Sequence, residues 1–532
     1  MQPVRAFQPV RNLRPHGGLR GLEDTVSSQL FQGRFGRMFR TLPAAEFSDE
    51  ALVALAAKMT AAREEEVTSE NEDDAEENQG IDAGVTYLGQ FIDHDLTFDP
   101  MSSLQKQNDP DELTSFRSPR FDLDSVYGRG PSDQPYLYED DGLTLQLGRR
   151  LTGAEEFDPN ARDLPRHKSE TDSNPKRRAR ALIGDPRNDE NVIVAQLHAI
   201  FLRFHNRMIA HLTAKNGRTP DFAEVQRQVR WHYQWVVLHD FLPTIVGRDT
   251  VNAILPHLEN ETSIYLDSPD LRFFHWRNQP FIPVEFAVAA YRFGHSMIRP
   301  QYRLNLTLVG KGPEKDPVNG RISIFTPEDG SEGLNGFREF PSNWAIDWSL
   351  FFNMGNRPPR FGIRRVQKAY KIDTSLVNPL GALPVSTAPG IRSLAERNLK
   401  RGARMGLPSG QDVAQLMDED VIPDDRLRVG KATKEDSKNN PKLADIHPDF
   451  KGRAPLWYYV LAEAQQQFDG KDSTPIRLGR VGGRIVAEVF IGLLLGDGFS
   501  FLSQAPGWKP DPAFTVKGKF GMAELIKQAI RV

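Results

Sequence analysis

The chain has 532 residues, of which 39% are hydrophobic and 26% are charged, a composition typical of a soluble protein with a sizeable core. Its 67 basic and 71 acidic side chains nearly balance at a net charge of −4, which argues against a dedicated nucleic-acid binder. The absence of cysteine excludes disulfides, thiolate metal sites, iron–sulfur clusters and cysteine nucleophiles.

The first part of the chain is predicted to contain an arm and two helices separated by an acidic loop. Residues 1–28 are rich in Arg, Pro and Gly, and they contain no apolar run that would act as a signal peptide. A helix is predicted to begin at the cap Ser48, and a second helix is predicted over 82–95. Between them, residues 64–80 are strongly acidic, which favours a solvated loop over a cation site because like charges repel each other.

Helical patterns dominate the rest of the chain. Apolar residues recur every three or four positions from Leu197 to Leu212, and Gly217 ends this run. Further helical patterns cover 221–247, 283–297, 409–418, 454–468, 481–495 and 521–530, whereas strand patterns are few and short, such as 303–308 and 321–325. The sequence therefore predicts a mainly α-helical protein with long loops and few short strands.

The strongest apolar stretch, Ile485 to Leu495, is too short to cross a bilayer, which takes about 20 residues, and Glu488 interrupts it. We therefore expect a buried core helix at this position and a soluble protein without a membrane span. With no signal peptide visible, such a protein is cytoplasmic or is exported by a non-classical route.

The first of four segments suited to chemistry is 89–95. On a helix, Gln90 and His94 are four residues apart and share a face, with Asp93 beside them. This pair could position a small polar ligand, or His94 could be a buried structural histidine bridged to a carboxylate. The segment by itself leaves both interpretations open.

The second segment is 121–128, where Asp122 and Asp124 stand two residues apart in a loop close to Ser118. Such oxygen donors suit a hard cation such as Ca²⁺, which takes about six to eight oxygen ligands. The third acidic position and the glycine of an EF-hand loop are missing. A turn with two solvated aspartates is the alternative.

The third segment, 184–191, precedes the long helix, and Asp185 and Asp189 are both suitable helix caps. Arg187 and Glu190 are three residues apart at this helix start, so both side chains could reach one cavity. A local ion pair, which is common and weak, is the alternative.

The fourth segment is 290–295. In a helix, Arg292 and His295 would share a face, next to Gly294, which permits the close approach of a flat group. An iron-ligating histidine beside an arginine that can pair a carboxylate is what a haem with propionates requires. A structural histidine on an apolar helix is the alternative.

The remaining histidines are interpreted as core or surface residues. His198 and His205 lie seven residues apart, as do His232 and His239, whereas zinc sites on helices favour spacings of three or four. The sequence contains no HExxH, P-loop or GxSxG motif, and no GxGxxG motif between a strand and a helix. Nucleotide-binding and esterase functions therefore have no support.

In this order and spacing, the four segments resemble the animal-type haem peroxidases of the peroxidase–cyclooxygenase superfamily. Their motif sequences are more like those of bacterial members than those of the secreted mammalian enzymes. The motifs are GQFIDHD, DLDSVYG, GDPRNDEN and YRFGH, followed by RNLKRG and GLPSG. The resemblance runs from about residue 30 to residue 505 and implies one large, mainly α-helical haem peroxidase domain. We expect an N-terminal arm over 1–28, the catalytic domain over 29–506 and a C-terminal extension with a small amphipathic helix over 507–532.

Three residues match positions that lie on the distal side of the haem in that family. His94 resembles the distal base, Gln90 resembles the neighbour that organises water or halide, and Arg187 resembles the distal arginine. Asp93 and Glu190 stand where mammalian members form ester bonds to haem, so the resemblance implies haem b or a covalently modified haem. The third mammalian link needs a methionine after that glutamate, and an asparagine stands there instead.

On the proximal side, His295 resembles the iron ligand, and Asn398 resembles the asparagine that accepts its imidazole N–H. Such a bond raises the basicity of the ligand. Arg292 resembles a partner of a haem propionate, and Arg401 is a weaker candidate for the same edge.

The resemblance also implies a calcium shell formed by Asp95, Ser118, Arg120 through its carbonyl, Asp122 and Asp124. An ion bound by Asp95, immediately after the distal histidine, would hold the distal helix in place. Ca²⁺ is therefore expected as a second cofactor.

The resemblance implies a peroxidase that reduces hydrogen peroxide through a ferryl intermediate and oxidises halides or small phenolic donors in the response to oxidative stress. The main alternative is a fatty-acid dioxygenase of the cyclooxygenase or diol-synthase branch, whose radical tyrosine lies three residues before the proximal histidine. Here Arg292 holds that position and Tyr291 lies one residue further away, which favours a peroxidase. A non-catalytic haem-binding or adhesion module is a third hypothesis. It predicts loss of the distal pair, yet His94 and Arg187 are both present.

Overall fold

The computed structural model describes residues 33–62, 74–98, 114–115, 117–167, 179–277, 280–308, 320–326, 332–357, 362–385, 388 and 390–532. The predicted N-terminal arm (1–28) and the first part of the acidic segment therefore lie outside the described residues.

Helices form most of the regular structure, as the sequence predicts. The α-helices are α1 (Asp49–Met59), α2 (Ala83–Leu96), α3 (Asp124–Tyr127), α4 (Val192–Asn216), α5 (Phe222–Val236), α6 (Leu242–Val246), α7 (Arg248–Ile254), α8 (Asn378–Gly381), α9 (Leu394–Arg404), α10 (Gly410–Leu416), α11 (Leu443–Ile446), α12 (Leu456–Gln465), α13 (Arg480–Gly496), α14 (Phe501–Gln504) and α15 (Met522–Ala529). Within the described ranges, no helix combines the length and the apolarity that crossing a bilayer requires.

Strands are few and short. They are β1 (Gly33–Gly36), β2 (Glu77–Asp82), β3 (Thr114–Ser115), β4 (Ile282–Pro283), β5 (Gln301–Arg303), β6 (Arg321–Ser323) and β7 (Lys368–Tyr370). β1 pairs antiparallel with β3 and parallel with β4, while β2–β7 and β5–β6 are antiparallel pairs. The β2–β7 pair sets Glu77 opposite Tyr370, so these small sheets join distant parts of the chain.

The longest helix, α4, runs through the hydrophobic core. Asn191 caps its start by accepting hydrogen bonds from the amides of Ile193 and Val194, and Gly217 ends it with a positive φ of 67°. Every residue of α4 from its first position to Phe204 is buried. The turn that precedes α4 is therefore anchored to a helix that is packed on all sides.

Helix α2 packs against α4 and carries the first sequence segment. The ring of Phe91 stacks on that of Phe201 with a centroid separation of 4.5 Å. Near the start of α2, Gly84 donates its amide to the Phe351 carbonyl at 2.8 Å, and a Cβ on residue 84 would lie 2.7 Å from that oxygen. A glycine is therefore needed for this close approach, and the two contacts fix the helix that carries His94.

The helix predicted over 283–297 is less regular than its pattern indicates. After β4, a π-helical turn leads directly into a 3-10 helix at Ala290–His295. The buried carboxylate of Glu285 accepts the amides of Met38 and Phe39 at 2.9 and 3.1 Å, a contact between distant parts of the chain that periodicity does not reveal. The arginine and the histidine of this segment still share a face, because side chains three residues apart align on a 3-10 helix.

Other predicted elements differ in smaller ways. The helix predicted over 221–247 consists of α5, a π-helical turn and α6, at whose start Pro243 lacks a backbone N–H. The strand predicted over 303–308 ends at Arg303 as β5, and α9, which carries Asn398, was not predicted as a helix. The helices predicted at 409–418, 454–468, 481–495 and 521–530 are confirmed as α10, α12, α13 and α15.

A single large cluster of buried side chains includes members of helices from α1 to α15. The apolar stretch of α13 is a core helix as predicted, and its buried Glu488 accepts the amides of residues 272–274. In the C-terminal extension, Met522, Leu525 and Ile526 are buried where α15 packs against α4.

Candidate active site

The first, third and fourth sequence segments meet around one cavity of about 650 Å³. Its walls come from α2, from the turn before α4, from the irregular helix after β4 and from residues between 324 and 337. Phe241, Ile298 and Leu383 contribute apolar surface. The predicted site residues that line it are Gln90, Asp93, His94, Arg187, Glu190, Arg292 and His295.

His94 is 4% exposed and is held through both ring nitrogens. Its Nδ1 lies 2.8 Å from Asn188 Oδ1, and its Nε2 lies 3.4 Å from a carboxylate oxygen of Glu190. Gln90 donates a hydrogen bond to Glu190 and accepts one from Asn191 at 3.1 Å. Because Nδ1 is engaged by a residue outside the cavity lining, Nε2 is the nitrogen that faces the cavity.

Arg187 lines the cavity, and hydrogen bonds hold its guanidinium group in place. Its Nη2 donates to the carbonyls of His94 and Thr97 at 3.0 and 2.6 Å and to Asp185 at 2.8 Å. The group also lies over the ring of Phe98, 4.5 Å from the centroid. These contacts tie the arginine directly to the last turn of α2.

The carboxylate of Asp185 is shared by two guanidinium groups. It lies 2.5 Å from Arg117 Nη2 and 2.8 Å from Arg187 Nη2, and it is fully buried. Burial alone would raise the pKa of Asp185, but the two arginines outweigh it and hold the pKa well below the usual range. Asp185 therefore remains ionised between two cations.

His295 lies at the end of the 3-10 helix that follows β4. Its Nδ1 is 2.7 Å from the side-chain amide nitrogen of Asn398. Burial, with a smaller effect of Arg292, lowers the pKa of His295 to about 3, so the ring is neutral. Arg292 donates from Nε to the Ala287 carbonyl at 3.0 Å. Arg401, one turn after Asn398 on α9, does not line the cavity.

The second segment and the end of the first form a separate acidic cluster next to α2. One carboxylate oxygen from each of Asp95, Asp122 and Asp124 lies within 4.8 Å of the others. The Ser118 hydroxyl donates to Asp122 at 2.7 Å. The guanidinium of Arg120 pairs with the buried Asp497 at 3.4 Å.

The charges of this cluster are incompletely compensated. Burial, followed by repulsion from neighbouring carboxylates, raises the pKa of Asp95 well above its usual value. The pKa of Asp124 is raised to about 7 by burial despite Arg117, 3.4 Å away. Within the described residues, the buried Oδ1 of Asp124 has no hydrogen-bond partner.

Four residues with clear roles in this geometry were not assigned a chemical role from the sequence. Asp185 was predicted only as a helix cap and Asn188 only as part of a motif, while Arg117 was not singled out. His198 was interpreted as a core or surface histidine, and it is a buried residue that contacts Asn188 at 3.0 Å. Asp185 and Asn188 lie within two residues of Arg187 in the sequence, and this position was the signal that could have identified them.

Comparisons with known proteins show similarity to animal haem peroxidases. The family model for animal haem peroxidases matches residues 102–340. Mouse (Mus musculus) myeloperoxidase is 30% identical over 217 residues, which cover 39% of this chain and 27% of that protein. The chorion peroxidase of Aedes aegypti is 29% identical over 138 residues, 25% of this chain and 16% of that protein. The chain thus spans less than a third of the length of these curated relatives.

Two solved structures share the fold. Peroxidase A from Dictyostelium discoideum superimposes with a TM-score of 0.56 at 14% identity, covering 93% of both chains. A fatty acid alpha-dioxygenase from Arabidopsis thaliana has a TM-score of 0.51 at 13% identity, covering 88% of this chain and 74% of that one. At these identities the superpositions show a shared fold, and the likeness in sequence is to the animal haem peroxidases over residues 102–340.

The shared carboxylate predicts a large loss of stability on Asp185→Asn. This change leaves the guanidinium groups of Arg117 and Arg187 in a largely buried site without their counter-ion. We expect the free energy of unfolding to fall by about 3–5 kcal/mol, measured by urea denaturation. As a control, Asp270→Asn removes an exposed ion pair with Arg272 at 3.0 Å and a longer one with Arg484 at 3.7 Å, and it should cost at most about 1 kcal/mol.

The difference in stability between the wild type and Asp185→Asn should also depend on pH. Because the folded-state pKa of Asp185 is depressed, its stabilisation is present above the unfolded carboxyl value of about 3.9 and is lost as the pH falls through the folded value. The stability gap between the wild type and Asp185→Asn should be constant from about pH 7 to 5 and shrink below about pH 4. A gap that widens on acidification would contradict this assignment.

Proposed function

We propose that this protein is a haem peroxidase that binds haem in the cavity, reduces hydrogen peroxide there and oxidises a halide or a small phenolic donor. The observation that most directly supports this proposal is that His94, Arg187 and the neutral His295 all line one cavity of about 650 Å³. The animal haem peroxidase family match supports the same activity.

The residues of the cavity fit a haem group. His295 is neutral, as an imidazole ligand of iron must be, and its Nδ1 is held by Asn398, which leaves Nε2 free for the metal. An iron-bound Nε2 requires a proton on Nδ1, so the Asn398 amide would present its Oδ1 as the acceptor. Arg292 lines the cavity and offers a cation to a propionate.

The chain's own groups define the reaction. Haem, when bound, supplies the oxidising chemistry. His94 takes the proton of hydrogen peroxide at Nε2 and returns it to the departing oxygen as a general acid. Arg187, held through Nε and Nη2, has no partner for Nη1 in the described part of the chain, and this N–H faces the charge that develops as the O–O bond breaks.

A fatty-acid dioxygenase is the second candidate, because the fold is shared with such enzymes and a tyrosine does line the cavity. The hydroxyl of Tyr291 donates to the Gly89 carbonyl of α2 at 3.1 Å. The spacing of Tyr291 from His295 departs from the pattern of that branch, as the sequence indicates. The peroxidase is therefore the better-supported function.

The proposed roles predict different losses for the two histidines. His94→Ala should retain haem and lose about 100- to 10,000-fold in the rate of the peroxide-dependent change of the haem spectrum, because the proton acceptor is gone. His295→Ala should lose or loosen haem, measured as the ratio of haem to protein absorbance. His275→Ala, at an exposed site outside this cavity, serves as the control and should change neither quantity.

Normal turnover in both cavity variants would contradict the proposal. Oxygen uptake that depends on a fatty acid and disappears in Tyr291→Phe would instead establish the dioxygenase. A haem spectrum without peroxide-dependent oxidation of phenols or halides would indicate a non-catalytic haem protein.

We further propose that Asp93 and Glu190 form ester bonds to haem methyl groups. Both carboxylates line the cavity, and Asp93 also accepts a hydrogen bond from the Thr97 hydroxyl at 3.0 Å. An asparagine follows Glu190, so a sulfonium link of the mammalian kind cannot form at that position.

After exposure to peroxide, acid extraction should leave haem attached to the wild type. Asp93→Asn and Glu190→Gln should each remove one link, and the double variant should release all its haem, as measured by the mass of the intact protein. Glu339→Gln, an exposed position, is the control and should behave as the wild type does. Complete release from the wild type would refute both links.

We propose that the acidic cluster binds Ca²⁺ through Asp95, Asp122, Asp124, the Ser118 hydroxyl and the Arg120 carbonyl. The oxygen-only donor set suits this ion, and the unpartnered Oδ1 of Asp124 offers a ligand. Asp95 accepts the Leu123 amide at 3.2 Å, so the ion would join the end of α2 to the 118–124 loop.

Calcium should therefore stabilise the fold. At a free concentration of about 100 times its dissociation constant, we expect a gain of about 2.7 kcal/mol, measured as a rise in the urea midpoint over protein treated with a chelator. Asp122→Asn should abolish most of the response, whereas Asp425→Asn at an exposed position should keep it. A chelator-insensitive wild type would exclude the site.

A further inference from the structure

A chain of three buried side chains extends from the cavity into the core. Nδ1 of His94 lies 2.8 Å from Oδ1 of Asn188, and Nδ2 of Asn188 lies 3.0 Å from Nδ1 of His198. Asn188 and His198 are both 0% exposed. Asn188 lies on the turn before α4 and His198 on α4 itself, so this series of contacts lies in the buried core around that helix.

His198, the last of these three side chains, is an uncharged donor or acceptor and not a second base. Burial lowers the pKa of His198 to about 3, which leaves a neutral ring with a single N–H. Its Nε2 is buried without a hydrogen-bond partner among the described residues, and the ring packs edge-on against Phe91. The ring is therefore fixed by packing, and Nδ1 is its one polar contact.

Two proton arrangements satisfy the contacts at Asn188. In the first, Oδ1 accepts Nδ1–H of His94, while Nδ2 donates to His198. In the second, the amide is rotated, Nδ1 of His94 is the acceptor, and its Nε2–H points towards Glu190, 3.4 Å away. Only the first leaves Nε2 unprotonated towards the cavity, and only the first remains bonded once His94 carries protons on both nitrogens.

We propose that Asn188 is a positioning residue for His94: its side-chain carbonyl, kept in place by His198, holds the histidine as the Nδ1–H form that accepts a proton at Nε2. This inference rests on the proposed function for the identity of the proton donor. It adds a residue that acts through His94 and does not itself touch the substrate.

The test uses the full-length haem protein and two readouts. Asn188→Leu keeps the volume and removes the acceptor, so the rate constant for the reaction with peroxide should fall about 100-fold. The affinity for potassium cyanide, titrated by the haem spectrum, should fall in parallel, because hydrogen cyanide binds as the anion and its proton passes to the same base. Haem content and KM for the phenolic donor should not change.

Two further variants separate positioning from structure. Asn188→Asp keeps an oxygen acceptor for Nδ1–H, and His198 can donate to its second oxygen, so both readouts should recover to within about tenfold of the wild type. His198→Phe frees the Asn188 amide to rotate and should show a partial loss, about tenfold. Asn206→Leu is the matched control and should change neither readout: Asn206 lies on α4, and the change removes its two part-buried hydrogen bonds to the backbone of Leu145.

The outcomes distinguish the inference from the function. If Asn188→Leu binds cyanide and reacts with peroxide as the wild type does, Asn188 has no positioning role and the peroxidase stands. If Asn188→Asp is as impaired as Asn188→Leu, the residue is structural and the inference fails. If the wild type binds cyanide but oxidises no donor, the peroxidase fails, and the cyanide affinities of the variants still decide the role of Asn188.

Discussion

Two guanidinium groups share one buried carboxylate, and the cavity wall that carries His94 and Arg187 depends on this carboxylate. Asp185 pairs with Arg117 on one side and with Arg187 on the other, at 2.5 and 2.8 Å. Arg187 in turn donates to the carbonyls of His94 and Thr97. The loop before the acidic cluster, the turn before α4 and the end of α2 are thereby joined through a single anion. Removal of its charge would loosen three chain segments at once.

The proximal side is held by different means. His295 lies on an irregular helix and is neutral through burial, and its one hydrogen bond from the described residues runs to Asn398 on α9. The Arg292 carbonyl accepts the indole N–H of Trp457 at 3.2 Å, which ties this helix to α12. Charge therefore organises the wall that would handle protons, while burial and neutral hydrogen bonds organise the wall that would hold iron. A neutral ligand and an ionised distal arginine are both required by the proposed chemistry.

Features of the site that depend on one short segment could be predicted from the sequence, whereas contacts between distant segments could not. Helices α4 and α13 have strong apolar periodicity, and His94, Arg187 and His295 lie in motifs that a resemblance can carry over. The irregular helix after β4 depends on Glu285, whose partners are almost 250 residues away, and no local pattern contains that information. The contact of Asn188 with His198 likewise exists only after α2 and α4 have packed together. Sequence reasoning thus found the groups that touch the cavity and also Asn398, which holds His295. It missed Asp185 and Asn188, which hold Arg187 and His94.

The acidic cluster connects with the distal wall through Arg117. This guanidinium lies 3.4 Å from Asp124 and also bonds to Asp185, so it compensates part of the negative charge of the cluster while it anchors Arg187 indirectly. A cation bound by Asp95, Asp122 and Asp124 would take over that compensation and leave Arg117 more fully to Asp185. The ion would then act on the cavity by two routes: through the backbone of α2 at Asp95, and through the ion pairs that end at Arg187. Both routes reach the same wall, so the acidic cluster and the part of the cavity wall that carries His94 and Arg187 are parts of one electrostatic unit.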